Sequence, residues 1–189
     1  MSFNLSDINP NWTLFLDRDG VINVEKDNDY IKTWSEFEFY KESIEALPIL
    51  ANLFKTIVIA TNQKGVGRGI MTELELTKIH ENMLRTIDTV GGRIDHIFYC
   101  TDIDNDSINR KPQPGMALQA KEIYPSIDFS TSIMVGNRPS DMAFGRNAGL
   151  HTVFLATTHP ETPYPDSSID FRFKHLLDFT NSVLNKQIP

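Results

Sequence analysis

Cysteine occurs once in the 189 residues, at Cys100. A single thiol excludes an intrachain disulfide and a cysteine-rich metal cage, and it fits a reducing compartment. Positive charge is also scarce, with 18 lysines and arginines against 25 aspartates and glutamates and a formal net charge of −7. A generic grip on DNA, RNA or anionic lipid would need local patches working against that field, so neither a nucleic-acid nor a membrane partner is expected. Long apolar runs are missing too. The longest, such as Ile57–Ala60 and Ile133–Val135, are strand-sized, and the opening MSFNLSDINPNW has no basic stretch followed by an apolar one. Neither a membrane span nor a secretory leader is therefore expected. Length and composition point to one domain over residues 1–189 in the cytoplasm, and a monomer is the working expectation.

What the chain does contain is alternation. Short β-branched runs read as strands at Thr13–Leu16, Thr56–Ala60, Ile94–Cys100, Ser132–Val135, Thr152–Ala156 and Ile169–Phe173. Their near-continuous apolarity suggests burial on both faces, as in a parallel sheet. Between them lie helical patterns. Thr72 and Glu75 form a capping box ahead of the stripe Leu76, Ile79, Met83, Leu84, Ile87 and Val90, which stops at Gly91-Gly92. Further helices are expected at Gly115–Tyr124, Ser140–Ala148 with Gly149 as the stop, and His175–Leu184. At Ser43–Leu53 the internal Pro48 marks either a kink or a late start. The Pro-containing stretch Thr157–Ser168 reads as a surface excursion. The expected architecture is a three-layer, Rossmann-like α/β sandwich around a parallel sheet, which binds ligands beyond the carboxyl ends of its strands.

Chemistry-bearing residues gather at four such ends. The first strand runs into Asp17-Arg18-Asp19-Gly20. Two carboxylates one residue apart at a buried strand end call for a cation beside them, although a polar turn with both solvated is the ordinary alternative. The second strand ends in Thr61-Asn62-Gln63, followed by a Gly-rich loop, Lys64–Gly69. Hydroxyl, amide and backbone donors there suit phosphate oxygens, while a flexible connection is the plainer reading. Arg110-Lys111-Pro112-Gln113-Pro114 places a cation at a helix entrance, or is simply an exposed basic pair. The fourth strand leads into Gly136-Asn137-Arg138-Pro139-Ser140-Asp141, where Asp141 also suits the first turn of a helix.

Taken in this order, the strings LFLDRDGVIN, IATNQKGVGRG, RKPQPGM and VGNRPSDMAFGRNAG resemble the four motifs of the haloacid dehalogenase superfamily of phosphohydrolases. They look most like its capless branch, which includes heptose-bisphosphate and histidinol-phosphate phosphatases. The resemblance spans Leu14 to Gly149. It implies a Mg²⁺-dependent phosphomonoesterase that forms an aspartyl phosphate on Asp17, with Asp19 as general acid and then base. It further implies phosphate binding by Thr61, Asn62 and Lys111, substrate contacts from Gln63, Arg68 and Arg110, and metal binding by Asp17, Asp19, Asn137 and Asp141. The partner so implied is a small phosphorylated metabolite, a sugar phosphate first and histidinol phosphate second. A degenerate phosphatase kept as a binding protein is the non-enzymatic alternative.

Spacing adds an independent constraint. Asp17 and Thr61 lie 44 residues apart, and Thr61 and Lys111 lie 50 apart, which one helix–strand unit and its loops nearly fill. Neither gap houses a large cap domain, so an open site lined by residues 23–38, 64–69 and 101–110 is expected. Two features depart from the branch. Its relatives commonly carry a Cys/His zinc cluster ahead of the Arg-Lys pair, whereas residues 100–109 here offer one thiol and no histidine, so no structural zinc is expected. Asn137 stands where the branch usually has a metal-binding aspartate, which lowers the charge offered to the cation.

Overall fold

A computed structural model describes residues 3–187. Along the chain run β1 (Thr13–Leu16), α1 (Lys41–Leu53), β2 (Thr56–Asn62), α2 (Lys64–Gly67), α3 (Glu73–Thr89), β3 (His96–Cys100) and α4 (Gly115–Ile123). They are followed by β4 (Ser132–Gly136), α5 (Pro139–Ala148), β5 (His151–Leu155), β6 (Phe171–Phe173) and α6 (Leu176–Gln187). The six strands form one parallel sheet in the order β3-β2-β1-β4-β5-β6.

The sheet is covered on both faces because every central strand is apolar on both. In β1, Leu14 and Leu16 join Ile57, Ile59, Ile133 and Val135 on one face, while Phe15 joins Val58, Ala60 and Met134 on the other. This is the period-two alternation of a pleated strand. Leu47 and Leu50 of α1, Ile79 and Met83 of α3 and Phe179 of α6 cover the first face. Met116, Ala117 and Ala120 of α4 and Phe144 of α5 cover the second. Truncating one such fully buried leucine to alanine would cost about 2–5 kcal/mol. The expected three-layer α/β architecture is present.

Local chemistry sets the helix ends. Thr72 Oγ1 accepts from Glu75 N and Glu75 Oε2 accepts from Thr72 N, closing the capping box of α3. Gly149, at φ +83°, lets α5 end in a left-handed turn. The helix continues through Pro48, starting at Lys41 rather than after the proline.

Several boundaries differ from expectation. β2 continues through Thr61 and Asn62, because Tyr99 and Cys100 of β3 pair with them. β3 starts at His96, whose partner Val58 opens the shared register. β6 starts at Phe171, since the Asp170 carboxylate ahead of it binds Arg146 and the Thr152 N–H. The stretch read as a loop at Lys64–Gly69 begins instead with the helical turn α2, closed by Arg68 N donating to Lys64 O at 3.0 Å. The last two residues of the tail, 188 and 189, lie outside the described residues.

Strand order fixes the site. The chain steps outward from β1 to β2 and β3, then restarts on the opposite side of β1 at β4. The carboxyl ends of β2, β1 and β4 therefore converge at the topological switch point.

Candidate active site

The fully buried β1 delivers Asp17 to that switch point, and Asp17 N donates to Val135 O at 2.9 Å, tying it to the end of β4. Lys111 arrives from the loop ahead of α4. Asn62 holds it there with both ends of its amide, accepting from Lys111 N at 3.0 Å and donating to Lys111 O at 3.1 Å. The Lys111 Nζ then lies 2.9 Å from Asp17 Oδ1 and 2.6 Å from Asp141 Oδ1. All three side chains are buried. Burial pushes the Asp17 carboxyl up to about 7, assisted by the Asp141 charge and opposed by Lys111. For Lys111, burial opposes the charged form, but the Asp141 and Asp17 carboxylates outweigh it and hold the ammonium above its usual range.

Asp141 has a second task. It sits in the first turn of α5, where its Oδ2 accepts from the Asn137 and Arg138 N–H groups at 3.1 and 2.9 Å. Both of its oxygens are thereby committed, one to Lys111 and one to the helix N-terminus.

Asp19 is set differently. Arg18 grips it at both oxygens through Nη2, each at 2.9 Å, and through Nε at 3.3 Å. Asn23 Nδ2 and Gln63 Nε2 each donate to it at 2.9 Å. Burial alone would raise its pKa, but the Arg18 charge and these donors outweigh burial and hold it below the usual carboxylate range. Gln63 Nε2 also donates to Thr61 Oγ1 at 3.0 Å, so this one amide nitrogen bridges the ends of β1 and β2.

Asn137 is fully buried against Gly20, whose φ of +84° and missing Cβ make room for the amide. Its Nδ2 donates to Thr158 Oγ1 at 2.6 Å and to Glu25 Oε2 at 3.0 Å. Its Oδ1 is buried with no donor. An acceptor in that condition is costly and fits a cation beside it. Among the described residues no three His, Cys, Asp or Glu side chains gather into a metal-binding group. A cation here would rest on Asp17 and neutral oxygens.

These groups lie in and around a cavity of about 610 Å³ at the strand ends. Asp17, Asp19, Thr61, Asn62, Gln63, Arg68, Arg110, Lys111 and Asp141 all line it, whereas Asn137 is not among the lining residues. Seven lysines and arginines and six carboxylates face it, so the local balance is positive inside a protein of net charge −7. Arg110 Nη1 is buried without a partner. Loss of hydration and the Arg110 and Arg68 charges hold Lys64 below its usual range. Across the mouth, Arg68 donates to Tyr30 Oη at 2.9 Å and Lys64 to Asn105 Oδ1 at 3.2 Å.

Some of the cavity was not anticipated. The stretch at Thr157–Ser168 is more than a surface excursion: Thr157 donates to Gly20 O at 2.6 Å, Thr158 holds Asn137, and His159 lines the cavity. Glu25 and Arg138 form an ion pair on the rim. No local sequence signal marks these contacts, because their partners lie from 21 to 137 residues apart along the chain.

Comparison with known proteins decides the kinship. The family model described as polynucleotide kinase 3 phosphatase matches residues 13–180. The chain belongs to this phosphatase family. It is 34% identical over 185 residues to the D-glycero-beta-D-manno-heptose-1,7-bisphosphate 7-phosphatase of Escherichia coli K12, covering 93% of this chain and 95% of that one. It is 36% identical over 173 residues to the D-glycero-alpha-D-manno-heptose-1,7-bisphosphate 7-phosphatase of Mycobacterium bovis, covering 91% of each. Among solved structures, the D,D-heptose 1,7-bisphosphate phosphatase of B. bronchiseptica, a complex with magnesium and phosphate, superposes with a TM-score of 0.84. That match is 28% identical and covers 93% of this chain and 99% of the other. The protein is thus a haloacid dehalogenase-like phosphatase, and its strand-end cavity is the candidate active site of a phosphate-ester hydrolase.

Proposed function

We propose that this phosphatase is a Mg²⁺-dependent phosphomonoesterase acting through an aspartyl phosphate on a small sugar phosphate, with D-glycero-D-manno-heptose 1,7-bisphosphate as the first candidate. The observation that carries this reading is Lys111, held 2.9 Å from Asp17 in a cavity whose wall includes the unpartnered Nη1 of Arg110.

In the first step an Asp17 carboxylate oxygen attacks phosphorus. The bond from phosphorus to the leaving oxygen breaks, and that oxygen takes its proton from Asp19. In the second step water attacks the phosphorus of the aspartyl phosphate, Asp19 takes the water's proton, and the bond to Asp17 breaks to release phosphate. Lys111 and Thr61 hold the phosphoryl oxygens. Four donors keep Asp19 ionised in the resting site, so its proton is acquired when a phosphate dianion arrives beside it and disfavours the second negative charge. Mg²⁺ would be held by the Asp17 carboxylate, the Asp19 backbone carbonyl and Asn137 Oδ1, and when bound it offsets the repulsion between carboxylate and phosphate. Asp141, with both oxygens committed, acts by fixing Lys111 rather than as a direct ligand.

The non-reacting end of the substrate would meet Arg68, Arg110 and Lys64. A second anionic group there suits a sugar bisphosphate, and the names of the relatives support that choice for either anomer. A nucleic-acid 3′-phosphate, the reading suggested by the family's description, would call for stacking surfaces. Tyr30 is the one phenyl or indole ring among the lining residues. The test is phosphate release with Mg²⁺ from heptose 1,7-bisphosphate, histidinol phosphate, a 3′-phosphorylated oligonucleotide and 4-nitrophenyl phosphate. The expected result is the highest kcat/KM on the heptose bisphosphate and no turnover by Asp17→Asn. Turnover of none of the four would favour a binding protein instead.

A further inference from the structure

His80 stands on α3 with only 7% of its surface exposed. Its Nε2 is 3.1 Å from Arg18 Nη1. Arginine offers only N–H donors, so Nε2 must be the acceptor and the imidazole is neutral with its proton on Nδ1. Burial first, and the Arg18 charge second, hold the His80 pKa down to about 3, which keeps that acceptor available at physiological pH. The edge of Tyr99 packs against the ring at 5.7 Å between centroids.

Arg18 is itself 1% exposed. Its Nε and Nη2 grip the Asp19 carboxylate, and its Nη1 is taken by His80. The guanidinium is planar and rigid, so fixing one edge fixes the other. Phe37 lies against it with 6.0 Å from ring centre to guanidinium carbon, and supplies no acceptor. If His80 lost its nitrogen, Nη1 would be a buried donor with nothing to bind, and the guanidinium would have to turn to find a partner. Turning it moves the carboxylate at its other edge.

We propose that His80 is a positioning residue for Asp19, acting through Arg18 to aim the carboxylate at the leaving oxygen. This rests on the reading of Asp19 as general acid and base. Poor leaving groups need the proton from Asp19, whereas 4-nitrophenolate departs without one, so leaving-group selectivity reports the aim of Asp19 separately from the amount of folded enzyme.

The experiment compares kcat/KM for β-glycerol phosphate and 4-nitrophenyl phosphate in the Mg²⁺-loaded full-length protein. In His80→Phe, which keeps a ring but no acceptor, the alkyl-to-aryl ratio is expected to fall about tenfold, the scale seen when an outer hydrogen-bond partner of a site is removed. His80→Gln, whose side-chain oxygen can reach Nη1, is expected to retain the wild-type ratio. His80→Asn, polar but one methylene too short, is expected to behave like the phenylalanine variant and serves if that one fails to fold. A ratio unchanged in His80→Phe and His80→Asn, while Asp19→Asn lowers it, would overturn the role of His80 alone. A ratio unchanged in Asp19→Asn would overturn the reading of Asp19 and the positioning role with it.

Discussion

Asp17 carries the sharpest conflict between stability and function at the level of single residues. It is buried beside Asp141 and tolerated because Lys111 reaches both. Asp17→Asn removes a buried charge yet leaves Lys111 its Asp141 partner. The variant should therefore unfold at a higher temperature than wild type at pH 8 without metal, while phosphatase activity drops by at least about 10³-fold. Calorimetry and phosphate release check the two halves, and a lower melting temperature would refute the first. Asn137 is the converse case, a neutral oxygen where charge would help bind a cation. Asn137→Asp should lower the Mg²⁺ concentration for half-saturation, read both by calorimetric binding and by rate. Without metal the same variant should lose stability, since the new carboxylate would face Glu25 Oε2, now 3.0 Å from the amide nitrogen. Glu25→Gln in the same chain should restore it. Metal affinity unchanged by Asn137→Asp would refute its place beside the cation. The sequence makes Asp17, Asp19, Lys111 and Asp141 visible because each follows a strand pattern or a basic Pro-flanked motif directly. Glu25, Thr158 and His80 stay hidden, because what they do depends on partners 112, 21 and 62 residues away.

Among the elements, α2 shows how backbone fit can set an active-site wall. A Cβ on Gly67 would lie 2.0 Å from the backbone oxygen of Thr101. Neither partner is a flexible side-chain tip, so Gly67→Ala must separate α2 from the segment 101–110 that carries Arg110. The expected outcome is a KM raised about tenfold on a bisphosphate substrate with kcat nearly preserved, because the groups pushed apart are those proposed to meet the non-reacting end. A fall in kcat at unchanged KM would place the damage at the reacting centre instead. Thr72→Ala provides the control. It removes the cap of α3 at a point exposed to solvent and should cost about 1 kcal/mol in denaturant unfolding with unaltered kinetics. The difference in legibility between these helices has a physical cause. The stripe on α3 repeats over four turns and announces itself, whereas α2 is a single turn containing two glycines, held by tertiary contacts that no local pattern encodes.

Across the whole molecule, the composition hid a local inversion. The net charge of −7 is that of the whole chain, while the cavity gathers more cations than carboxylates. Buried titrating groups of opposite behaviour then govern how stability responds to pH. The Asp17 pKa is raised in the folded protein, from 3.8 to about 7, so the folded state binds the extra proton over that interval. Its contribution is fully present below the unfolded value and is lost as pH rises through about 7. His80 runs the other way, from 6.5 down to about 3, and its contribution is present above 6.5 and lost as pH falls. Each group alone has a limiting slope of about 1.4 kcal/mol per pH unit, with opposite signs, so between about pH 4 and 6.5 they offset one another. Wild-type protein in chelator should show a shallow dependence of unfolding free energy on pH in that interval. Asp17→Asn should unmask a stability that climbs with pH, and His80→Gln one that declines with pH. Urea unfolding at half-unit pH steps resolves the three profiles, and parallel profiles for wild type and both variants would refute the opposing titrations.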